Sequence, residues 1–393
     1  MITSQFLIIL SLLVVASYFF DLLNIRIPTV IIQIFFGWIV YLILNFTNYN
    51  LPDLQFFLSV LSTIGLFSIL FEASMELQFS SKKHSFYIHV SFYSLLTILL
   101  FTIFFAFFLY HVENIPFLQG MINALPLSII AGSIAIPSVS KYPRFKEFII
   151  FESAFAGIWG IILLNYLMRF FNSSHIVLFS ILYLFQIFVV IFLSIFFIFL
   201  FIYVLSFFKK YRIKFIPLLM MILLVYELIR FFELPQLIFI IMLGLGIANI
   251  NLLNQKFPAL KKKYDLIEDE LVFFKKLVSE FTFLIRSMFF ITLGYVLGKF
   301  FTFQTFLENI TILTIILVLI YISRFLVLQF FPSCPKNVVF IAPRGLISIA
   351  LFYSIPTFIR VENITDGTIA FVIIFTALVM STYFMAKNKV LTE

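Results

Sequence analysis

Apolar runs of about 18 or more residues recur along this chain from one end to the other. A run of that length forms a helix that can cross roughly 30 Å of hydrocarbon. Hydrophobic residues make up 63% of the 393 residues and charged residues only 11%, a composition that excludes a water-soluble globular protein. The sequence therefore predicts an all-α polytopic membrane protein whose partner is the lipid bilayer and not a nucleic acid.

The apolar runs divide into about 13 predicted transmembrane helices. Most of the 26 basic residues fall in loops on one side, and cytoplasmic loops accumulate Lys and Arg. We therefore expect a multi-pass protein of the cell membrane with its N-terminus outside and its C-terminus in the cytoplasm. The predicted spans lie near residues 5–24, 27–46, 57–76, 85–109, 119–140, 147–170, 176–206, 214–232, 235–252, 280–299, 306–330, 337–357 and 367–386.

The longest soluble stretch is 253–279, which mixes charges of both signs with apolar residues at helical spacing. This pattern predicts a cytoplasmic helix that lies along the membrane surface. We expect it to connect two halves of the protein, with a regulatory role as the alternative.

Nothing in the sequence predicts a cofactor, a metal site or a disulfide. The chain has one cysteine, Cys334, and its four histidines show no metal-ligand spacing. A membrane-embedded enzyme is also disfavoured, because it would need a sizeable outer loop with catalytic groups. No predicted outer loop exceeds roughly a dozen residues, so we do not expect an enzyme.

Two similar segments about half the chain apart indicate an internal repeat. IPTVIIQIFFGWIV (27–40) and LPQLIFIIMLGLGI (234–247) each place a Pro nine residues before a Gly. The predicted topology sends the two copies through the membrane in opposite directions. Inverted repeats of this kind recur in secondary transporters, whose substrate site lies between the halves near the midplane.

Two spans carry residues that disrupt helices near their middle. AGSIAIPSVS (131–140) includes Pro137, and IAPRGLISIA (341–350) includes Pro343 and Gly345. Non-helical backbone at membrane depth is tolerated where it is buried in protein or lines a water-filled cavity. We predict two broken helices that bring their half-helix ends, and the partial charges of those ends, to one site. A pair of simple proline kinks is the alternative.

Ionisable residues within the predicted spans are candidates for function, because each costs about 2.5–3.5 kcal/mol to place at the bilayer centre. The strongest candidates are Glu152 in FESAFAGIWG and Arg324 in LIYISRFLVLQ. An opposite-charge pair lowers the cost of both groups, and a buried carboxylate can exchange a proton for a cation. A structural ion pair that never titrates is the alternative. Arg344, beside the second predicted break, is a candidate to neutralise half-helix dipoles.

These segments together resemble the monovalent cation–proton antiporters, and in particular the sodium–proton exchanger branch. The similar segments are, in chain order, GWIV, LFEASMEL, AIPSVSKYPRFKEFIIFESAF, FFITLGYVLG, SRF and APRGLISIAL. The resemblance implies two inverted repeats in one transmembrane transporter domain over 1–393, and a homodimer that works by alternating access. It also implies a dimerisation part (1–80 and 214–300), a core transport part (81–175 and 301–390) and a linker helix (176–213).

The resemblance assigns Glu152 to the Glu of the family's ion site and Arg324 to the Arg that pairs with it. Four and five residues after this Glu, the family has an Asn–Asp pair. Ala156 and Gly157 occupy those positions here. The acidic residue that usually precedes the Pro of the first broken helix is likewise replaced, by Ile136. The scaffold of the family is therefore retained without its usual cation ligands.

The predicted function is the exchange of protons for a monovalent cation, Na⁺ or K⁺, at an atypical site. Glu152 would bind the ion or the proton together with hydroxyl groups from Ser133, Ser138 and Ser153. One alternative is a transport-inactive scaffold or sensor on the same fold. Another is a transporter of an anion or small solute, because two core arginines outnumber the single core glutamate.

Overall fold

The structure is a computed structural model of the chain, and it describes part of the 393 residues. The described residues are 10–19, 29–47, 55–80, 83–139, 143–171, 176–208, 211, 214–250, 258–300, 303–332 and 334–390. Within them the backbone is helical or irregular, and no β-strand occurs. The predicted all-α fold class is therefore confirmed.

Within the described residues, each predicted span overlaps a helix or a broken pair of helices. Within the described ranges, eight helical segments are long and apolar enough to cross a membrane. The helices are α1 (Leu10–Phe19), α2 (Thr29–Phe46), α3 (Gln55–Glu76), α4 (His84–Val112), α5 (Phe117–Ser128), α6 (Gly132–Ser138), α7 (Pro143–Phe171), α8 (Ile176–Phe207), α9 (Phe215–Phe231), α10 (Gln236–Ala248), α11 (Pro258–Phe300), α12 (Phe303–Gln329), the 3₁₀ helix η1 (Lys336–Phe340), α13 (Leu346–Ser354) and α14 (Asp366–Val390).

Two of the predicted spans are broken in the middle. Residues 129–131 separate α5 from α6, and residues 341–345 separate η1 from α13. The two breaks meet, because the N–H of Ala131 donates to the carbonyl of Pro343 at 2.8 Å. This bond satisfies one donor and one acceptor that the interrupted helices leave free. Broken helices that meet, rather than simple proline kinks, are therefore present.

Pro137 does not mark the first break, and that part of the prediction is wrong. Pro137 lies inside α6, one residue before this helix ends, whereas the break lies before α6 begins. Proline lacks an N–H and crowds the carbonyl four residues earlier, so it opposes continuation of a helix beyond it. Its effect here falls at the end of α6. Pro343 and Gly345 lie within the segment between η1 and α13.

The described part of the predicted surface helix over 253–279 is not a separate element, and residues 253–257 lie outside the described residues. One helix, α11, runs through 43 residues from Pro258 to Phe300, which is about 65 Å at 1.5 Å per residue. That length is about twice the hydrocarbon thickness of a bilayer. Between Pro258 and Gly294 the sequence contains neither Pro nor Gly, so the backbone has no breaker at which the soluble and apolar parts would separate.

The chain divides into two compact units. The first consists of residues 1–66, 88–160 and 284–393, and the second of residues 67–87 and 161–283. Both broken helices lie in the first unit. The partition into dimerisation, core and linker parts stays a prediction.

The glycines of the sequence repeat lie at close helix contacts, one in each unit. In the first unit, a Cβ added to Gly37 of α2 would collide with the carbonyl oxygen of Ile291 on α11. In the second unit, a Cβ on Gly244 of α10 would lie 3.1 Å from the carbonyl oxygen of Phe71 on α3. Small residues are used at such positions because they let helix backbones approach closely. Pro28 lies outside the described residues, and the inverted repeat stays a prediction.

Candidate ion site

Glu152 and Arg324 form a buried ion pair between two helices of the first unit. Glu152 lies on α7 and Arg324 on α12, with 1% and 0% of their side chains exposed. Arg324 Nη1 donates to Glu152 Oε1 at 2.6 Å, and Nη2 donates to Oε2 at 3.3 Å. The planar guanidinium thus engages both carboxylate oxygens, which is the strong geometry for such a pair.

Arg324 also connects this pair to the second broken helix. Its Nη2 donates to the carbonyl of Val338 in η1 at 2.8 Å. One side chain therefore joins α7, α12 and η1. Its Nε has no acceptor among the described residues, so the pair is anchored through the two terminal nitrogens alone.

Helix α4 covers the pair with polar and aromatic groups that the sequence pattern did not predict. The guanidinium carbon of Arg324 lies 5.9 Å from the centre of the Tyr93 ring, within the range of a cation–π contact. Tyr93 is fully buried, and its hydroxyl has no hydrogen-bond partner in the described part of the chain. The Ser94 hydroxyl donates to the backbone carbonyl of Glu152 at 3.0 Å. In the sequence, the only sign of these contacts is that Tyr93 and Ser94 are adjacent within an apolar span.

Arg344 lies at the crossing of the broken helices and is buried, with 1% exposed. Its Nε donates to the carbonyl of Leu127 at 2.6 Å, in the last turn of α5, and its backbone N–H donates to the Thr376 hydroxyl at 3.0 Å. A cation in this place compensates the partial negative charge at the C-terminal end of α5. Within the described ranges, Arg344 makes no ion pair.

Within the described residues, none of the predicted hydroxyl groups of Ser133, Ser138 and Ser153 forms a hydrogen bond with Glu152. Ser153 is buried and donates to a carbonyl of its own helix at 3.2 Å. Its hydroxyl borders the start of α6, because a Cβ on Gly132 would lie 2.6 Å from it. Ser133 follows Gly132 and is half-buried, whereas Ser138 bonds to a carbonyl within α6 at 3.1 Å. The structure thus brings Ser153 to the first break, beside the residue that precedes Ser133.

Gly157 lies one helical turn after Ser153 and borders space that no atom of the described residues fills. A Cβ built on Gly157 meets no heavy atom of the described residues within 4 Å, although Gly157 itself is buried. Ala156, beside it in the chain, is buried as well. A Cβ at this position would therefore displace no atom of the described residues.

This arrangement supplies one carboxylate, two guanidinium groups and a few hydroxyl and carbonyl oxygens. In the part of the chain that the structure describes, no group of three or more His, Cys, Asp or Glu is placed to hold a metal ion. A single carboxylate can bind a proton or a monovalent cation, and a fixed guanidinium beside it can balance its charge when neither is bound. These properties suit the transfer of small ions.

Comparisons with known proteins agree with this description. A family model described as sodium/hydrogen exchanger, transmembrane, matches residues 8–386. A comparison with curated protein sequences finds no match.

Two solved structures, both of the sodium proton antiporter MjNhaP1 from Methanocaldococcus jannaschii, are similar to this chain in fold. One, at pH 8, has a TM-score of 0.65 at 18% identity and covers 98% of this chain and 97% of its own. The other, an electron-microscopy structure, has a TM-score of 0.66 at 16% identity, with coverages of 96% and 94%. At such identities the likeness shows the fold alone.

Proposed function

The chain belongs to the sodium/hydrogen exchanger family, and we propose that it exchanges protons for a monovalent cation across the membrane at Glu152. The observation that carries the proposal is the fully buried Glu152–Arg324 pair in the unit that contains both broken helices. A buried intramembrane charge is costly, and such residues mark ion and proton pathways in membrane proteins.

The proposed exchange follows from the chemistry of one carboxylate. Glu152 binds either a proton or a cation, so the arrival of one releases the other. Arg324 keeps the carboxylate in place and balances its charge while neither is bound. The binding groups open to one side of the membrane at a time, as alternating access requires.

Proton flux in proteoliposomes tests this proposal. Vesicles with an acidic interior and an entrapped pH dye receive pulses of Na⁺, K⁺ or Li⁺ from outside. We expect the inner pH to rise after a cation pulse and to stay constant with choline. A constant inner pH with all three cations would favour the alternative of a transport-inactive scaffold or sensor.

Transport of an anion or small solute is the second candidate, and Arg344 is the observation that favours it. This buried cation makes no ion pair within the described ranges, so an anionic ligand would displace no described carboxylate from it. The same vesicles separate the two functions when chloride replaces gluconate at constant cation. A response to the anion alone would support the second candidate.

The orientation in the cell membrane is also a proposal, with the C-terminus in the cytoplasm. Single cysteines replacing Lys387 and Arg360 are expected to react with a membrane-impermeant maleimide from the inside and the outside, respectively. Cysteines replacing His175 and Lys209 provide a second pair of labelling sites, expected outside and inside, respectively. Both residues lie outside the described residues. Labelling on the reverse sides would contradict the proposed topology.

The natural cysteine gives little background in that experiment. Cys334 is buried in the segment between α12 and η1, and burial raises the pKa of its thiol to about 11 from 9.0. The thiolate is the reactive form, so its population near neutral pH falls about a hundredfold for this shift. Wild-type protein is therefore a suitable unlabelled control.

A homodimer is proposed as well, on the resemblance to the antiporter family. The mass of the particle in a native lipid environment tests this proposal. A mass of one copy would contradict it.

A further inference from the structure

The buried charges of the first unit leave little negative field for a cation. Among the residues whose burial the structure describes, Glu152 is the only buried carboxylate. Both of its oxygens already accept hydrogen bonds from Arg324. Arg344 adds a second buried cation to the same unit. A bound cation would therefore contact one carboxylate, whose charge Arg324 already partly neutralises, and otherwise only neutral oxygens.

We propose that this site selects the larger monovalent cations, K⁺ and Rb⁺, over Na⁺ and Li⁺. The proposal rests on the exchange function proposed above. A binding site must replace the hydration shell of the ion, and selectivity depends on the number and field strength of the ligands. Small ions hold water most strongly, so they need ligands of high negative charge. A weak field favours ions that lose water at lower cost.

The space beside Gly157 favours the same ions. Gly157 and Ser153 lie one turn apart on α7, and the Ser153 hydroxyl borders the start of α6. A Cβ on Gly157 has no neighbour among the described residues within 4 Å. A large ion, or one that keeps a water molecule, fits where no side chain converges on it. A small dehydrated ion would lack ligands at contact distance on that side.

A comparison of four ions in the proteoliposome assay tests the selectivity. We expect the half-saturating concentrations of K⁺ and Rb⁺ to be at least about tenfold lower than those of Na⁺ and Li⁺, a difference of about 1.4 kcal/mol in binding. In an independent measurement, K⁺ should raise the thermal unfolding midpoint of the wild-type protein in detergent more than Na⁺ at equal ionic strength.

Gly157→Asp tests the effect of a stronger negative field on ion preference. It adds a second carboxylate in space that is free of described atoms. We expect this variant to shift the preference toward Na⁺ and Li⁺ by about tenfold or more. Gly157→Asn fills the same space without adding a charge, and it should shift the preference much less than Gly157→Asp does. An equal shift in both variants would assign selectivity to the filled volume and contradict the field argument.

The outcomes distinguish this inference from the proposed function. Proton exchange with Na⁺ or Li⁺ preferred by the wild type would overturn the selectivity and leave the exchange function standing. Proton flux that responds to none of the four ions, together with no stabilisation by K⁺, would overturn both. If Gly157→Asp does not yield folded protein, the wild-type ion series and the unfolding midpoints decide the question.

Discussion

Glu152→Gln is expected to reduce cation-driven proton movement to the level of protein-free vesicles. Glutamine has almost the shape of glutamate, but its amide neither ionises nor carries a proton through the cycle. Glu152 is the only buried carboxylate among the residues whose burial is described, so none of these residues offers a second buried carboxylate to take over. The measurement is the pH-dye assay in proteoliposomes, with rates normalised to the amount of monodisperse protein.

Two control variants make this result specific. Glu227→Gln neutralises an exposed glutamate that forms a 3.6 Å pair with Arg230, and it should leave the flux at the wild-type rate. Glu152→Asp keeps the charge on a shorter side chain, so part of the flux should remain. Wild-type flux in Glu152→Gln would show that another group carries the proton and that our site assignment is wrong.

Removing either charge of the buried pair is expected to destabilise the protein by about 3–5 kcal/mol, because the remaining charge is left buried without compensation. The variants are Glu152→Gln and Arg324→Gln, and the measurement is the thermal unfolding midpoint in detergent. The double variant removes both charges and should recover most of the loss. Glu227→Gln should change the stability by no more than about 1 kcal/mol, since an exposed pair is well screened.

The double variant also separates stability from transport. If Glu152 is the exchanging group, the double variant is folded and inactive. A folded double variant that still exchanges cations for protons would reduce Glu152 and Arg324 to a structural pair. Destabilisation of the double variant equal to the sum of the single losses would show that the two groups do not stabilise each other.

The predictions that succeeded depended on short windows of sequence. The predicted spans coincide with the described helices because about 20 consecutive apolar residues are sufficient for a helix to enter a bilayer, whatever lies elsewhere in the chain. The pairing of Glu152 with Arg324 was inferred from the cost of two opposite charges in hydrocarbon and from a family resemblance. The structure shows the contact between residues 172 positions apart, and the roles of these residues stay predictions.

The predictions that failed involved the ends and breaks of helices. Pro137 was expected to break the fifth span, but the interruption at 129–131 contains no proline. That segment is extended and contacts the second broken helix, through the bond from Ala131 to Pro343. The mixed charges of 253–279 likewise indicated a separate surface helix, although a run without breakers continues into α11.

The sequence by itself determined that this chain is a polytopic helical membrane protein, where its apolar helices lie along the chain, and which charges are candidates for function. Only the tertiary structure decided which groups those charges contact. It placed Tyr93 over Arg324, bound Arg344 to the end of α5, and left the space beside Gly157 free of described atoms. The physical reason is that membrane insertion depends on the composition of a single segment, whereas a contact between distant residues depends on the packing of all the helices around it.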